Sequence, residues 1–324
     1  MTTTPSSLWQ TTLTIFRLLR WDKPAGRLIL MIPALWAVFL AAKGTPPPAL
    51  VGIIILGTLA TSGAGCVVND LWDRNLDPLV ERTKHRPLAS RSLSITTGII
   101  VGLLSLLCAA GLALYLNPLT FWLCVAAVPV ILFYPSAKRF FPVPQLVLSI
   151  AWGFAVLISW TAVSCTNSSS LACIPSSTWW LWGATIFWTL GFDTVYAMSD
   201  RADDLKVGIN SSAIFFGKYT TLAVGLCFAA TAGLLAILGW VMQLKLGFWL
   251  SLGAAIIFWG WQYFRLDRLE VPFPSTTLTE QNRSTTLTER SRSEPTQNSL
   301  YATIFRQNVL IGFILLAGMI AGIL

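Results

Sequence analysis

Long apolar stretches separated by short polar connections dominate the chain and predict membrane-spanning helices. The apolar runs lie at 25–42, 49–68, 95–116, 119–134, 146–163, 179–197, 219–242, 246–263 and 302–324. Most approach the roughly 20 residues that a helix needs to cross a bilayer. The alternation of polar and apolar residues that is typical of a membrane β-barrel is absent, so helices are the remaining spanning structure. The pattern predicts an all-α, polytopic membrane protein with about nine transmembrane helices.

The segments outside these runs divide the chain further. The predicted organisation is an interfacial segment at 1–24, a membrane core of eight helices at 25–264, a polar connector at 265–300 and a last transmembrane helix at 301–324. The first segment places Trp9, Leu13 and Phe16 at helical spacing, which favours a helix lying on the membrane surface. The connector contains STTLTEQNR at 275–283, followed at once by STTLTERSR. A Ser- and Thr-rich duplication of this kind predicts a disordered loop.

Charge is distributed unevenly over the two ends of the predicted helices. With the N-terminus in the cytoplasm, 20 of the 22 basic residues face that side, and only Lys43 and Lys245 face outward. This asymmetry predicts the orientation in a membrane, most simply the inner membrane of a bacterium. The net charge of +8 is therefore explained by topology and does not indicate a nucleic-acid partner. Cys165 and Cys173 share one outward loop, where a disulfide is one open possibility.

Two acidic stretches follow apolar runs at the cytoplasmic end. The first, NDLWDRNLD at 69–77, places Asn69, Asp73 and Asp77 on one face if it is helical, with Asp70 one step around. The second, DTVYAMSDRADD at 193–204, places four polar side chains on one helical face: Asp193, Tyr196, Asp200 and Asp204. Like charges at this density need a counter-ion, so the stretches predict a shared cation site.

The residue types favour Mg²⁺ shared with a phosphorylated substrate. Oxygen ligands suit hard cations, and Mg²⁺ is usually bound by one or two carboxylates together with substrate phosphates. Asn69 with Asp73, and Asp200 with Asp204, would form two facing half-sites. Basic residues that could hold diphosphate oxygens are Arg74, Arg82, Lys84, Arg86 and Lys138. Two alternatives remain: the stretches are solvated loops, or they belong to a cation transporter, although a transporter would place such residues at mid-span.

The motifs resemble those of the UbiA superfamily of intramembrane aromatic prenyltransferases. The resemblance rests on NDLWDRNLD, RTKHRPL, YPSAKRFFPVPQ at 134–145, and DTVYAMSDRADDLKVGINS. It covers nearly the whole chain except the duplicated connector, and the last two motifs favour the 4-hydroxybenzoate polyprenyltransferase branch. It implies helices around a central cavity with a cytoplasmic cap, and substrates that are a polyprenyl diphosphate and 4-hydroxybenzoate. Protein partners are not indicated.

The resemblance also implies roles for individual residues. Asn69, Asp73, Asp200 and Asp204 would bind Mg²⁺-diphosphate, with Asp70 and Asp77 supporting. Tyr134 and Lys138 match positions that contact diphosphate, and Arg139 matches one that holds the carboxylate of the acceptor. Asp193 matches a position linked to the acceptor or to proton removal, and Tyr196 lies beside it as a candidate for substrate binding. The implied reaction is transfer of the polyprenyl group to the ring carbon ortho to the hydroxyl, in ubiquinone or plastoquinone-type biosynthesis.

Other acceptors, such as homogentisate or dihydroxynaphthoate, remain open because related enzymes share the acidic motifs.

His85, the one histidine of the chain, is a tempting general base. Its neighbours Lys84 and Arg86 disfavour its charged form, and the sequence favours an ordinary loop residue.

Overall fold

The computed structural model describes residues 8–23, 25–166, 170–269 and 280–324, including all of their side chains except those of residues 269 and 280–296. The described chain is helical and contains no strand. Its helices are α1 Leu8–Leu18, α2 Ala25–Ala41, α3 Pro48–Trp72, α4 Ile95–Ala113, α5 Pro118–Phe140, α6 Pro144–Ser164, α7 Ser176–Met198, α8 Arg201–Val207, α9 Ser212–Phe216, α10 Thr220–Val241, α11 Leu246–Leu269 and α12 Glu280–Ile323. The prediction of an all-α fold is confirmed.

Within the described part of the chain, six segments are long and apolar enough to cross a membrane by length and composition: Pro48–Trp72, Ile95–Ala113, Pro118–Phe140, Pro144–Ser164, Ser212–Val241 and Gln297–Ile323. The apolar helix α2 is shorter, with 17 residues. The predicted runs at 179–197 and 246–263 coincide with α7 and α11, so every predicted run matches a helix. The count of nine spans stays a prediction. Residues 275–279 of the duplicated connector lie outside the described residues, whereas residues 280–292 form the first part of α12.

Local sequence explains where several helices begin. Proline occupies the first turn of α3, α5 and α6, where its missing N–H leaves no hydrogen bond unmade. Ser94 and Asn117 cap α4 and α5 by accepting hydrogen bonds from the backbone N–H groups of Thr97 and Thr120. Gly208 ends α8 with a φ of 76°, a conformation that suits glycine. These signals explain where α3, α4, α5 and α6 begin and where α8 ends.

Helix α7 lies at the centre of the bundle and packs against α6, α10 and α12. Trp188 and Phe192 of α7 are buried, and the ring of Trp188 lies 4.9 Å from that of Trp36. Asn308 of α12 is also buried and accepts hydrogen bonds from the indole nitrogens of Trp188 (3.0 Å) and Trp259 (3.1 Å). It donates to Gln262 at 3.2 Å. Asn308 therefore links α12 to both α7 and α11.

A disulfide joins Cys165 and Cys173 in the connection between α6 and α7. This connection follows the end of α6 and precedes the beginning of α7, whereas the acidic stretches follow the ends of α3 and α7. The disulfide therefore lies at the opposite end of the bundle from the acidic residues. The sequence left this pairing open, and the structure forms it.

Candidate active site

The first acidic stretch contributes a pair of side chains one helical turn apart. Helix α3 ends at Trp72, and the N–H of Asp73 donates to the carbonyl of Asn69 at 2.9 Å. The expectation that one helix also carries Asp77 is wrong, because the chain leaves the α-helical path after Asp73 and Asp77 begins a short 3₁₀ turn. Pro78, directly after Asp77, disfavours the α-helical conformation at that residue.

The second stretch is also divided, since α7 ends at Met198 and α8 begins at Arg201. The expectation of one continuous helical face from Asp193 to Asp204 is therefore wrong. Asp200 lies at the N-cap of α8, and the N–H of Asp204 donates to its carbonyl at 2.8 Å. The two carboxylates thus form a second pair with the spacing of the first.

Helix α5 brings a lysine to the first pair. Lys138 Nζ lies 3.1 Å from the Asn69 side-chain oxygen and 3.3 Å from a carboxylate oxygen of Asp73. It also lies 5.1 Å from the ring centre of Tyr134, one turn earlier. Helix α5 extends beyond the apolar run predicted at 119–134 and continues to Phe140. Helical spacing is what places Tyr134 and Lys138 on the same side.

An arginine forms hydrogen bonds with one member of the second pair. Arg82, in the connection between α3 and α4, donates to both carboxylate oxygens of Asp200 at 2.5–3.1 Å. It also donates to the Tyr196 hydroxyl at 2.9 Å, and its guanidinium lies 4.9 Å from that ring. Each acidic pair is thus matched by one basic side chain from another part of the chain.

Both pairs line one polar cavity of about 940 Å³. The predicted residues that line it are Asn69, Asp73, Asp77, Arg82, Arg86, Tyr134, Lys138, Asp193, Tyr196, Asp200 and Asp204. His85 lines it as well. Four predicted site residues do not: Asp70, Arg74, Lys84 and Arg139. The structure therefore brings most of the predicted set together around one space.

The four residues outside the lining have other contacts. Arg74 donates to the Leu71 carbonyl at 2.9 Å, and Lys84 pairs with Glu81 at 2.7 Å. Arg139 is 40% exposed and approaches Asp73 at 3.7 Å from the side of Trp72. These contacts leave Arg74 and Lys84 away from the carboxylate pairs.

The fourth, Asp70, is fully buried and pairs with two arginines. Arg20 Nη2 lies 2.6 Å and Arg86 Nη1 lies 3.2 Å from the same Asp70 oxygen. Arg86 also pairs with Asp77 at 3.0 Å. Sequence reasoning missed Arg20 as a contact of the acidic stretch, because 50 residues separate it from Asp70 and no local pattern joins them.

The electrostatics of the second pair affect its protonation. Burial, and then the neighbouring charge of Asp200, raise the pKa of Asp204 to about 7. Lys138 and Arg82 oppose this shift. The Asp204 carboxyl therefore exchanges its proton near neutral pH, and a cation at this position would favour the ionised form.

A second, largely apolar chamber of about 450 Å³ adjoins the polar cavity. Helices α2 to α6 contribute its walls, and both spaces share Ser62, Asn69, Tyr134 and Trp152. The polar cavity therefore continues into a space suited to hydrocarbon.

The end of α1, the beginning of α2 and the turn between them give the polar cavity a basic corner, formed by Arg17, Arg20, Lys23 and Arg27. Arg27 is 6% exposed and donates through Nε to the Arg20 carbonyl at 3.2 Å. Its Nη2 has no hydrogen-bond partner within the described part of the chain. Sequence reasoning treated these cations as topology signals only. A buried guanidinium with an unused donor fits an anionic ligand group.

The donor set fits a cation that is shared with a phosphorylated ligand. No three His, Cys, Asp or Glu side chains among the described residues converge to hold a metal by themselves. Each pair offers oxygen ligands from one side of the cavity only, and Mg²⁺ often completes its octahedron with substrate phosphate and water. The Oδ2 of half-buried Asp193, which lines the same cavity, has no hydrogen-bond partner among the described residues.

Comparison with known proteins gives one consistent result. Residues 30–275 match the UbiA prenyltransferase family. The chain is 61% identical over 321 residues to the 4-hydroxybenzoate solanesyltransferase of Synechocystis sp., covering 98% of both chains. It is 42% identical to the 4-hydroxybenzoate octaprenyltransferase of Ralstonia nicotianae, over 79% of this chain and 87% of that one.

Solved structures share the fold. A UbiA homologue from Aeropyrum pernix K1 superposes with a TM-score of 0.72 at 22% identity, covering 92% of this chain and 98% of that one. A UbiA homologue from Archaeoglobus fulgidus, bound to GPP and Mg²⁺, has a TM-score of 0.65 at 17% identity, over 93% and 99%.

Proposed function

Because the chain belongs to the UbiA prenyltransferase family, it is a multi-pass membrane enzyme of the prenyltransferase class, and we propose that its acceptor is 4-hydroxybenzoate. The polyprenyl group would come from a polyprenyl diphosphate and join the ring carbon ortho to the hydroxyl. The relative that is 61% identical along nearly the whole chain carries that acceptor in its name. The observation that carries the proposal is that both acidic pairs and their basic partners line one cavity.

Asn69, Asp73, Asp200 and Asp204 would hold Mg²⁺ together with the diphosphate. When bound, the metal supplies positive charge that stabilises the departing diphosphate. Lys138 and Arg82 contact the same carboxylates in the structure. We infer that ligand binding releases both side chains from Asp73 and Asp200 and lets them donate to phosphate oxygens. Preorganised cations that stabilise the negative charge developing in the transition state are usually the largest single contribution to catalysis.

The prenyl chain would occupy the apolar chamber. Ionisation of the allylic C–O bond leaves a carbocation that water would capture, so the reacting carbon needs a dry surrounding. The aromatic rings of Tyr134 and Trp152 lie where the two spaces meet, and aromatic faces stabilise positive charge. The acceptor ring then attacks the cation. Asp193, whose Oδ2 has no hydrogen-bond partner among the described residues, would take the ring proton, and loss of that proton restores aromaticity.

The acceptor's carboxylate needs a cation inside the cavity. Arg139 is the residue that the family resemblance implies, yet it does not line the cavity. Arg27 does line it, and its Nη2 has no partner. We therefore favour the basic corner over Arg139 for the carboxylate. This choice supports an acceptor with a carboxyl group and keeps the reaction in the 4-hydroxybenzoate branch.

The site would face the cytoplasm of a bacterial cell, with the product entering ubiquinone or plastoquinone-type biosynthesis. The distribution of basic residues supports the orientation. The disulfide at the other end of the bundle agrees with it, because disulfides persist in oxidising compartments.

Membranes containing the wild-type chain test the proposal directly. The assay supplies 4-hydroxybenzoate, a long polyprenyl diphosphate and Mg²⁺, and follows diphosphate release and transfer of a radiolabelled prenyl group. We expect prenylated 4-hydroxybenzoate from the wild type, and none from Asp73→Ala or Asp200→Ala. Lys206→Met is the control, because Lys206 is 74% exposed and pairs only with Asp203 outside the cavity.

Three results would change the proposal in different ways. Product with homogentisate but not with 4-hydroxybenzoate would overturn the acceptor and keep the enzyme class. Full activity in Asp73→Ala or Asp200→Ala would overturn the two-pair site. No transfer to any acceptor would overturn the reaction itself.

A further inference from the structure

Asp70 differs from its neighbours in the direction it faces. Asn69 and Asp73 meet Lys138 at the polar cavity, whereas Asp70 is fully buried and does not line that cavity. Its Oδ1 accepts a hydrogen bond from Arg20 at 2.6 Å and forms an ion pair with Arg86 at 3.2 Å. Both guanidinium groups meet at this one oxygen, and Oδ2 has no hydrogen-bond partner among the described residues.

The same two arginines join three separate pieces of chain. Arg20 belongs to the turn between α1 and α2, Asp70 to the last turn of α3, and Arg86 to the connection that follows. Arg86 also donates to both oxygens of Asp77 at 3.0 and 3.1 Å. These contacts therefore connect the end of α3 to the turn between α1 and α2 and to the connection between α3 and α4.

The backbone at Arg20 is consistent with a fixed arrangement. Its φ is 57°, in the left-handed region that a residue with a side chain rarely adopts. The carbonyl of Arg20 accepts a hydrogen bond from Arg27, and its side chain is held by Asp70. Backbone conformations of this kind persist where surrounding contacts over-determine them, and they cluster at functional sites.

We propose that Arg20 and Asp70 are positioning residues that set the rotation of the last turn of α3. Asp70 follows Asn69 directly and precedes Asp73 by three residues, so fixing Asp70 toward Arg20 fixes the other two toward the cavity. Asp70 acts through its neighbours and is not a metal ligand. This inference rests on the proposed function, because it concerns the pair that would hold Mg²⁺.

Binding of Mg²⁺ distinguishes a positioning residue from a ligand. If Asp70 were a ligand, Arg20→Gln would free its carboxylate, and Mg²⁺ would bind as well as in wild type or more tightly. If Asp70 positions Asn69 and Asp73, Arg20→Gln and Asp70→Asn both weaken binding. The double variant is then no weaker than either single variant, because the two residues act as one contact.

The experiment is titration calorimetry of Mg²⁺ into the purified chain in detergent, without diphosphate, because Arg20 also lines the polar cavity and could contact that anion directly. We expect about a tenfold weaker affinity in Arg20→Gln, in Asp70→Asn and in the double variant. Arg268→Gln, which removes an exposed arginine at the end of α11, serves as the matched control and keeps the wild-type affinity. Wild-type or tighter binding by Arg20→Gln overturns the proposal, and so do additive losses in the double variant.

Loss of folded protein has a different signature from loss of positioning. Misfolding lowers the number of Mg²⁺ ions bound per chain and leaves the affinity of the remaining sites unchanged, and that result would also overturn the proposal. Arg20→Lys keeps the charge, and we expect its affinity within threefold of wild type. The prenyl-transfer assay separates the two ideas: absence of transfer with normal Mg²⁺ binding refutes the acceptor chemistry but leaves the positioning result valid.

Discussion

Replacing Lys138 with methionine should change two measured quantities in opposite directions. Its Nζ contacts the Asn69 oxygen at 3.1 Å and Asp73 at 3.3 Å. Under the proposed function, Lys138 would compete with Mg²⁺ in the free enzyme and would become a diphosphate ligand in the loaded one. Methionine keeps much of the length and apolar body of the side chain but removes the charge.

The contacts set the expected size of each effect. Asp73 is only 7% exposed, so it interacts strongly with the nearby ammonium group. A hydrogen bond to a charged group contributes about 1.5–3 kcal/mol, and its loss should tighten Mg²⁺ binding at least about tenfold. Removal of one preorganised donor from a developing negative charge costs about 2.7–4 kcal/mol, so kcat should fall by about 10² to 10³.

Titration calorimetry with Mg²⁺ and steady-state prenyl transfer measure the two quantities separately. Lys138→Arg, which keeps the charge, should retain far more activity than Lys138→Met. Lys206→Met removes a lysine that pairs with an aspartate outside the cavity and should change neither quantity. A kcat of Lys138→Met within threefold of wild type, or weaker Mg²⁺ binding, would refute the reasoning.

Three further predictions concern the protonation of Asp204 and the packing around Asn308. Because the pKa of Asp204 is raised to about 7, Mg²⁺ must displace a proton from this carboxyl below that pH. The affinity for Mg²⁺ should therefore rise between pH 6 and 8, and calorimetry at each pH measures it. Asp204→Asn should flatten this pH dependence. The same raised pKa means that the Mg²⁺-free protein loses stability as pH rises toward 7, visible as a lower unfolding temperature. Asn308→Leu leaves two buried indole donors without their acceptor and should reduce the free energy of unfolding by about 2–5 kcal/mol. Thermal unfolding in detergent measures that loss, and an unchanged unfolding temperature would contradict it.

Helical spacing in the sequence was a better guide to which residues line the cavity than to where the helices that carry them end. The i, i+4 spacing of Asn69 with Asp73 and of Asp200 with Asp204 survives in the structure as hydrogen-bonded turns. The longer periodicities do not survive, because α3 and α7 both end inside the acidic stretches. Spacing within one turn is a local property, whereas the end of a helix depends on the loop that must follow it.

Contacts between distant parts of the chain could not be predicted. The sequence grouped Asp70 with the metal ligands because it carries the same chemistry as Asp73. Arg20, whose side chain donates a hydrogen bond to Asp70 in the structure, lies 50 residues earlier in the chain. The hydrogen bond from Trp36 to the Gly312 carbonyl spans 276 residues. Only packing of the whole bundle brings such groups together, and a single sequence carries no periodic signal for it.

The apolar chamber of about 450 Å³ has a consequence for how the enzyme distinguishes substrates. That volume suits a ligand of drug size, so a long polyprenyl chain would extend past its walls into the surrounding lipid. The protein would then make no contact with the far end of the polyprenyl tail. Tail length in the product would follow the composition of the membrane, and turnover would depend on the mole fraction of donor in the lipid phase. The same enzyme placed in a different membrane would make a different quinone precursor.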